Sequence, residues 1–219
     1  MPSPRSLRGA PSAPALALAR IAPRASAQVL ATGLATLLAI TLWLAAAIAL
    51  LAPAASAQEL AIGDPAPDFA LVGSDGQTHR LADFKDRQAV VLAWFPMAFT
   101  SGCTIECKSL ADDGELIEQY DVTYFMASVD PVEGDKGNAA FAKAHAARFP
   151  ILSDPTKATA AAYGVLSPAG YASRWTFYIG KDGRIAFIDK HVSSRLATSA
   201  QDMAKKLGEL GVPKRAAQP

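Results

Sequence analysis

The chain has 219 residues, of which 51% are apolar and 19% charged, and its formal net charge is +1. This length fits one domain comfortably, and two cysteines are too few for the disulfide framework that staples small secreted domains. The near-neutral charge and the absence of a basic run argue against nucleic acid as the main partner.

The first 57 residues differ in composition from the rest. They contain four arginines and no lysine or acidic residue, so the remaining 162 residues carry 17 basic and 20 acidic side chains. The sequence is uncharged and apolar from Val29 to Ala52, is preceded by Arg20 and Arg24, and is followed by Ala55-Ser56-Ala57. A basic segment, an apolar segment and a small-residue ending are typical of a secretory signal peptide. Cleavage there would make Gln58 the first mature residue.

The apolar segment is also long enough to cross a bilayer as a retained helix. We therefore divide the chain into residues 1–57, a signal peptide or N-terminal membrane anchor, and residues 58–219, an exported domain. In both cases the arginines stay on the cytoplasmic side. Both cases predict a domain in the bacterial periplasm, with the inner membrane contacted only through an uncleaved leader.

The exported part alternates strand and helix patterns. The predicted strands cover residues 69–72, 78–81, 89–95, 122–129, 149–152, 174–179 and 184–189, and the predicted helices cover residues 102–119, 138–147, 157–163 and 196–210. The first two strands flank a turn-rich segment and predict an N-terminal β-hairpin. Ala89–Phe95 is apolar throughout, as expected for a strand covered on both faces. This order predicts one α/β domain with a mixed central sheet and helices on both faces.

The residues with the clearest chemical potential lie where strand 89–95 ends and the next helix begins. Pro96 ends the strand, and Cys103 falls in the first helical turn, where unpaired backbone N–H groups and the helix dipole stabilise an anion. Such a position favours the thiolate, the nucleophilic form of cysteine. Thr100 can present its hydroxyl to the same place. Cys103 and Cys107 are the only cysteines, and their placement at this junction favours redox chemistry over burial as small apolar side chains.

The spacing Pro-x-x-x-Thr-x-x-Cys, formed by Pro96, Thr100 and Cys103, resembles the active-site signature of the peroxiredoxins, the AhpC/TSA family. The run Phe-Thr-Ser-Gly-Cys-Thr-Ile-Glu is most similar to their bacterioferritin-comigratory, or PrxQ-like, branch. The likeness extends over residues 59–210 and includes the Arg-Trp-Thr-Phe-Tyr-Ile run that begins at Arg174. It implies a thioredoxin-like fold and a thiol peroxidase that reduces hydrogen peroxide or small organic hydroperoxides. It also implies that no metal, haem or flavin cofactor is needed.

The resemblance further implies roles for individual residues. Cys103 would be the peroxidatic thiolate that attacks one peroxide oxygen, and Pro96 would shield the pocket. Thr100, the backbone N–H of Cys103 and Arg174 would hold the peroxide and stabilise charge while the O–O bond breaks.

Two of these residues have alternative interpretations. Arg174 could instead form an ion pair with Asp189 at the end of a strand, although its place at the start of the strand matches the family's arginine. Glu106 would either orient Arg174 or simply be an acidic residue favoured near a helix N-terminus.

Cys107 is the candidate resolving cysteine, which would condense with the Cys103 sulfenic acid before further oxidation and form an intramolecular disulfide. Here the sequence departs from its PrxQ-like relatives, whose resolving cysteine lies five residues on rather than four, and Ser101 replaces their usual proline. At a spacing of four the Cα atoms of an intact helix lie roughly 6 Å apart, but the Cβ atoms stay farther apart than the ~3.8 Å that a disulfide prefers. We therefore expect the first helical turn to unwind when the bond forms. The alternative is that a soluble thiol resolves Cys103.

An exported Sco-like copper-binding or thiol-disulfide protein is the alternative function, because two thiolates and an imidazole suit copper. Proteins of that type place a histidine near residues 167–173, and this segment has none. His191 follows one strand too late, and His79 and His145 are expected to be surface residues.

The expected partners are a peroxide substrate and a thioredoxin-like dithiol reductant. The sequence leaves open whether the protein is a monomer or a weak homodimer, and which peroxide it prefers.

Overall fold

The computed structural model describes residues 59–215. The predicted leader, with its cleavage site before Gln58, lies outside the described residues. Within residues 59–215, no helix is both long and apolar enough to span a membrane.

Seven strands form one sheet in the order β2-β1-β5-β4-β3-β6-β7. The strands are β1 Ala70–Gly73, β2 Thr78–Arg80, β3 Ala89–Trp94, β4 Val122–Ser128, β5 Ile151–Ser153, β6 Thr176–Ile179 and β7 Ile185–Asp189. The pairs β3–β4 and β4–β5 are parallel, and the other four pairs are antiparallel. The predicted mixed sheet and N-terminal hairpin are therefore confirmed.

Five α-helices accompany the sheet in the described part of the chain. They are α1 Ser101–Asp112, α2 Glu115–Glu118, α3 Asn138–Ala144, α4 Ala158–Ala162 and α5 Ser199–Glu209. Short 3-10 turns cover Val192–Ser194 and Leu196–Thr198. The predicted helix over residues 196–210 thus begins with a 3-10 turn and becomes α-helical at Ser199.

The prediction of one continuous helix over residues 102–119 is wrong, because the helix is interrupted at Asp113–Gly114, between α1 and α2. A Cβ on Gly114 would lie 2.6 Å from the Tyr124 hydroxyl oxygen and 2.7 Å from the Leu110 carbonyl oxygen. A side chain at Gly114 would therefore collide with the Leu110 carbonyl oxygen of α1 and with the Tyr124 hydroxyl, which favours glycine at this position.

The sheet is covered on both faces. Successive side chains of β3 point to opposite sides, so Val91, Ala93 and Phe95 enter one apolar cluster while Val90, Leu92 and Trp94 enter another. The first cluster includes buried side chains of α1, α3 and α5, and the second includes Ala160 of α4. All six residues of β3 are buried, as the uninterrupted apolar run predicts.

Strand pairing brings three distant segments to one edge of the sheet. Trp94 at the end of β3 pairs with Ala127 of the parallel strand β4, so the segments that follow both strands leave the sheet side by side. β6 runs antiparallel to β3, and the Trp94 N–H donates to the Trp175 carbonyl oxygen at 2.9 Å. The segment that leads into β6, including Arg174, therefore lies beside the start of α1.

Candidate active site

α1 begins at the cysteine motif with its N-terminal N–H groups unpaired. Thr100 precedes the helix in an extended conformation, and its carbonyl oxygen accepts the Thr104 N–H at 2.9 Å. The N–H groups of the first three helical residues, Ser101 to Cys103, consequently have no acceptor within the helix. Cys103 is the third residue of α1 and is fully buried, so its sulfur lies where the helix dipole favours negative charge.

The Thr100 hydroxyl donates to the Met97 carbonyl oxygen at 2.9 Å. Its proton is therefore occupied within the loop, while the lone pairs of its oxygen can accept a hydrogen bond. The Thr100 side chain is exposed. Pro96 is half-buried directly after β3, and its shielding role stays a prediction.

Arg174 contacts both Cys103 and Glu106. Its Nη2 donates to Cys103 Sγ at 3.0 Å, and its Nη1 donates to Glu106 Oε2. The Arg174 side chain is 9% exposed and that of Glu106 is 1% exposed, so the ion pair is shielded from water. Glu106 therefore orients Arg174, and the alternative of an Arg174–Asp189 ion pair is wrong. Asp189 instead accepts a hydrogen bond from Arg195 at 2.7 Å.

Two further residues, Gly102 and Leu196, lie beside the Arg174–Cys103 contact and were not identified from the sequence. A Cβ on Gly102 would lie 3.5 Å from Arg174 Nη2 and 3.3 Å from Leu196 Cδ1. A methyl group at this position would therefore be in ordinary contact with the guanidinium but tight against Leu196, which packs over the first turn of α1. Gly102 stands within the motif and could have been noticed, whereas nothing in the local sequence marks Leu196.

Burial shifts the pKa values of Glu106 and Arg174. Burial raises the pKa of Glu106 to about 7, and the attraction and hydrogen bond of Arg174 offset only part of this effect. Burial acts against the charge of Arg174 as well, but Glu106 and Cys103 outweigh it and raise the pKa of the guanidinium. Arg174 thus remains a cation beside the Cys103 sulfur, while Glu106 ionises only near neutral pH.

Cys107 lies one turn further along α1 and is also fully buried, in the apolar cluster that contains Cys103. Burial raises the pKa of Cys107 to about 12, with smaller contributions from the charges of Glu106 and Cys103. The two cysteines are free thiols. In the intact helix Cys107 is therefore a protonated, inaccessible thiol.

The expectation that His79 and His145 are surface residues is only partly right, since both are half-buried. His79 pairs with Asp75 at 2.9 Å and packs against Phe125. His145 packs against Phe141 at 4.8 Å between ring centroids. Its pKa is lowered by burial and then by the charge of Lys108. Among residues 59–215, no three His, Cys, Asp or Glu side chains form a cluster suited to a metal ion.

Comparison with known proteins identifies a family and a set of similar structures. The AhpC/TSA family matches residues 62–188. Alkyl hydroperoxide reductase E of Mycobacterium tuberculosis is 35% identical over 131 residues, which are 58% of this chain and 84% of the relative. Peroxiredoxin Bcp of Bacillus subtilis is 30% identical over 158 residues, which are 66% of this chain and 98% of the relative.

Two solved structures have a similar fold. Peroxidoxin BcpB of Mycobacterium tuberculosis aligns with a TM-score of 0.58 and 26% identity over 68% of this chain and 99% of that protein. A cysteine mutant of PrxQ from Xylella fastidiosa aligns with a TM-score of 0.62 and 24% identity over 70% of this chain and 99% of that protein.

Glu106→Gln tests the cost of burying the carboxylate. The pKa of Glu106 rises from 4.5 to about 7 on folding, so the folded chain retains a proton that the unfolded chain releases between these values. The resulting stabilisation is complete below pH 4.5 and is lost as the pH rises through 7. Between pH 4.5 and 8 we expect the wild-type free energy of unfolding to fall by about 3 kcal/mol relative to Glu106→Gln, measured by urea denaturation. Parallel pH profiles of the two proteins would contradict this electrostatic account.

Proposed function

Because this chain belongs to the AhpC/TSA family and is a thiol-dependent peroxidase of the peroxiredoxin class, we propose that Cys103 is its peroxidatic cysteine and Cys107 its resolving cysteine. The observation that carries the proposal is the 3.0 Å contact from Arg174 Nη2 to Cys103 Sγ, with the guanidinium fixed from behind by Glu106. The family match and the relatives described above give no support to the copper-binding alternative.

In the first step the Cys103 thiolate attacks the nearer peroxide oxygen and the O–O bond breaks. The sulfur becomes a sulfenic acid, and the departing oxygen takes up a proton to leave as water or an alcohol. The Cys103 N–H and Arg174 Nη2 are donors for the negative charge that develops along this bond. The Thr100 hydroxyl oxygen can accept the peroxide O–H, because its own proton is donated to Met97.

In the second step the Cys107 sulfur attacks the sulfenic acid of Cys103, which forms the disulfide and releases one water. Both thiols are fully buried on an intact helix, and a disulfide requires closer Cβ atoms than successive turns provide. Unwinding of the first part of α1 would bring the sulfurs together and expose Cys107 to water. Its pKa would then fall from about 12 towards that of a free thiol, about 8.5. A dithiol reductant then restores both thiols.

The proposed substrates are hydrogen peroxide and small organic hydroperoxides. The name of alkyl hydroperoxide reductase E associates that relative with alkyl hydroperoxides. Here three apolar side chains near the motif are 41–47% exposed and could contact a short alkyl group: Met97, Phe99 and Ile105. The proposed reductant is a thioredoxin-like dithiol protein, acting on a monomer or a weak homodimer.

We also propose that residues 1–57 export the domain to the periplasm. The uncharged run from Val29 to Ala52, the arginines before it and the Ala55-Ser56-Ala57 ending support this proposal. An exported location would favour a thioredoxin-like partner that is itself exported.

Substitution of each cysteine separates the two steps. We expect Cys103→Ser to abolish peroxide consumption, because the nucleophile is lost. We expect Cys107→Ser to complete one stoichiometric turnover and then stop when a dithiol reductant drives the cycle. Peroxide consumption over time, with sulfenic acid trapped by dimedone and weighed by mass spectrometry, provides the measurement. A fully cycling Cys107→Ser enzyme would rule out the resolving role, and an active Cys103→Ser enzyme would rule out the peroxidatic assignment.

Replacement of Arg174 tests the charge contact with the sulfur. We expect Arg174→Ala to lower the second-order rate constant of Cys103 with hydrogen peroxide by roughly 10²-fold or more. Arg174→Lys should be similarly impaired, because an ammonium group cannot donate in the planar, two-armed geometry of a guanidinium. The fold should persist, since Glu106 can become neutral when its partner is removed. Arg184→Ala is the control, because Arg184 donates to the Gly63 carbonyl oxygen away from the motif. Equal rate constants in Arg174→Ala and wild type would show that Arg174 does not assist the reaction.

The intact mass of the exported protein tests the leader. We expect a chain that begins at Gln58, because the small-residue ending directs cleavage after Ala57. A mass that includes residues 1–57, together with recovery in the membrane fraction, would instead identify a retained anchor.

A further inference from the structure

We propose that Asp130 is a positioning residue for the peroxide reaction, because its carboxylate holds the loop that carries Thr100. The inference rests on the proposed peroxidase site and adds a residue that lies outside the Pro-x-x-x-Thr-x-x-Cys motif. Asp130 follows β4, and the loop of residues 96–100 follows β3, so parallel pairing of the two strands brings them together.

One carboxylate oxygen of Asp130 receives two hydrogen bonds. Asp130 Oδ2 accepts the Ala98 backbone N–H at 2.8 Å and the Ser128 hydroxyl at 2.9 Å. Ala98 is 6% exposed, and a buried N–H without an acceptor is costly. The contact therefore fixes the backbone of the loop at its midpoint, between Pro96 and Thr100.

The loop needs such a restraint because of Phe99. This residue has φ +61°, in the left-handed region that side chains other than glycine adopt at a cost in free energy. Such a conformation persists only where the surroundings impose it. Asp130 holds the preceding residue, and on the other side the Thr100 hydroxyl donates to Met97. The Phe99 ring also packs against Phe141, with 5.2 Å between the ring centroids.

The support behind Asp130 is buried and fixed. The side-chain amide of Asn138 lies 3.1 Å from Ser128 Oγ and 2.9 Å from Ser153 Oγ. Ser128 and Asn138 are both fully buried, and Ser153 is 3% exposed. The ends of β4 and β5 and the start of α3 are therefore joined in one polar network. In such a network each hydrogen bond restrains its neighbours, so Asp130 transmits the position of the sheet to the loop.

The positions of Cys103 and Arg174 do not depend on a contact with Asp130. Cys103 is placed by α1, and Arg174 is placed by the start of β6 and by Glu106. Loss of the Asp130 carboxylate should therefore displace Thr100 while the Arg174–Cys103 contact persists. The consequence is a defect specific to peroxide, because other electrophiles need the thiolate but not the Thr100 hydroxyl.

Two reactions of Cys103 distinguish a role of Asp130 in positioning Thr100 from a role in stabilising the fold as a whole. We expect Asp130→Ala to lower the second-order rate constant with hydrogen peroxide by about 10-fold or more, since a displacement of about 1 Å can cost 10²-fold. We expect alkylation by iodoacetamide, measured on the same folded protein, to stay within about 2-fold of wild type. Asp130→Asn retains an oxygen that can accept the Ala98 N–H, so it should restore most of the peroxide rate.

Asp154→Ala is the matched control. Asp154 is 1% exposed, and its Oδ2 accepts the Ala160 N–H at 2.8 Å at the start of α4, on the opposite face of the sheet from α1. It should reduce the melting temperature as Asp130→Ala does while leaving the peroxide rate unchanged. If Asp130→Ala does not fold, Ser128→Ala serves as the second variant. It removes the hydroxyl that holds the Asp130 carboxylate and should give an intermediate, peroxide-specific loss.

Two results would overturn the proposal. The first is that folded Asp130→Ala reacts with peroxide as fast as the Asp154→Ala control. Where Ser128→Ala has to replace Asp130→Ala, the same comparison applies to that variant. The other is an equal loss of the peroxide and iodoacetamide reactions, which would assign Asp130 to general support of the helix. Neither result would affect the assignment of Cys103, which depends on the cysteine variants.

Discussion

The site depends on keeping a positive charge in contact with a buried sulfur. Arg174 Nη2 lies 3.0 Å from Cys103 Sγ, and both side chains are largely shielded from water. Desolvation alone would disfavour both ionised groups. The N–H groups at the start of α1 lie where they would stabilise negative charge on the sulfur, and the Glu106 carboxylate pairs with the guanidinium. The pairing of β3 with β6 brings these groups together at one end of the sheet.

This arrangement would separate the two halves of the proposed catalytic cycle. In the intact α1 helix Arg174 contacts Cys103 Sγ, whereas burial raises the pKa of Cys107 to about 12 and keeps this thiol protonated. If Cys107 is the resolving thiol, as proposed, resolution would have to wait until this part of α1 opens. In the proposed cycle a peroxide would be reduced in the closed site, and the disulfide would form in the open one. The four-residue spacing would make this order stricter, because the Cβ atoms of one intact helical turn stay farther apart than a disulfide prefers.

The sequence predicted the elements whose signals are local, and it missed those that depend on distant contacts. The apolar run of β3, the hairpin and the Pro96–Thr100–Cys103 spacing were all readable from neighbouring residues. Arg174 was identified through the family resemblance, and its partner remained undecided between Glu106 and Asp189 until the strands were paired. The break at Asp113–Gly114 was missed because helical composition continues past it, and the close contacts at Gly114 involve Tyr124 of β4 as well as the Leu110 carbonyl oxygen. No pattern in the neighbouring sequence identifies Leu196 or Asp130. Leu196 matters because it packs on Gly102, and Asp130 because it accepts the Ala98 N–H.

The most direct test compares two rate constants of the same sulfur. In the wild-type protein at pH 7, stopped-flow measurements give the second-order rate constants of Cys103 with hydrogen peroxide and with iodoacetamide, and a free cysteine thiolate measured alongside gives the reference ratio. If Arg174 and the α1 N–H groups stabilise the breaking O–O bond, the protein's peroxide-to-iodoacetamide ratio should exceed the reference by roughly 10³-fold. A ratio equal to that of free cysteine would mean that the pocket offers the peroxide no specific stabilisation, and the central claim would be wrong.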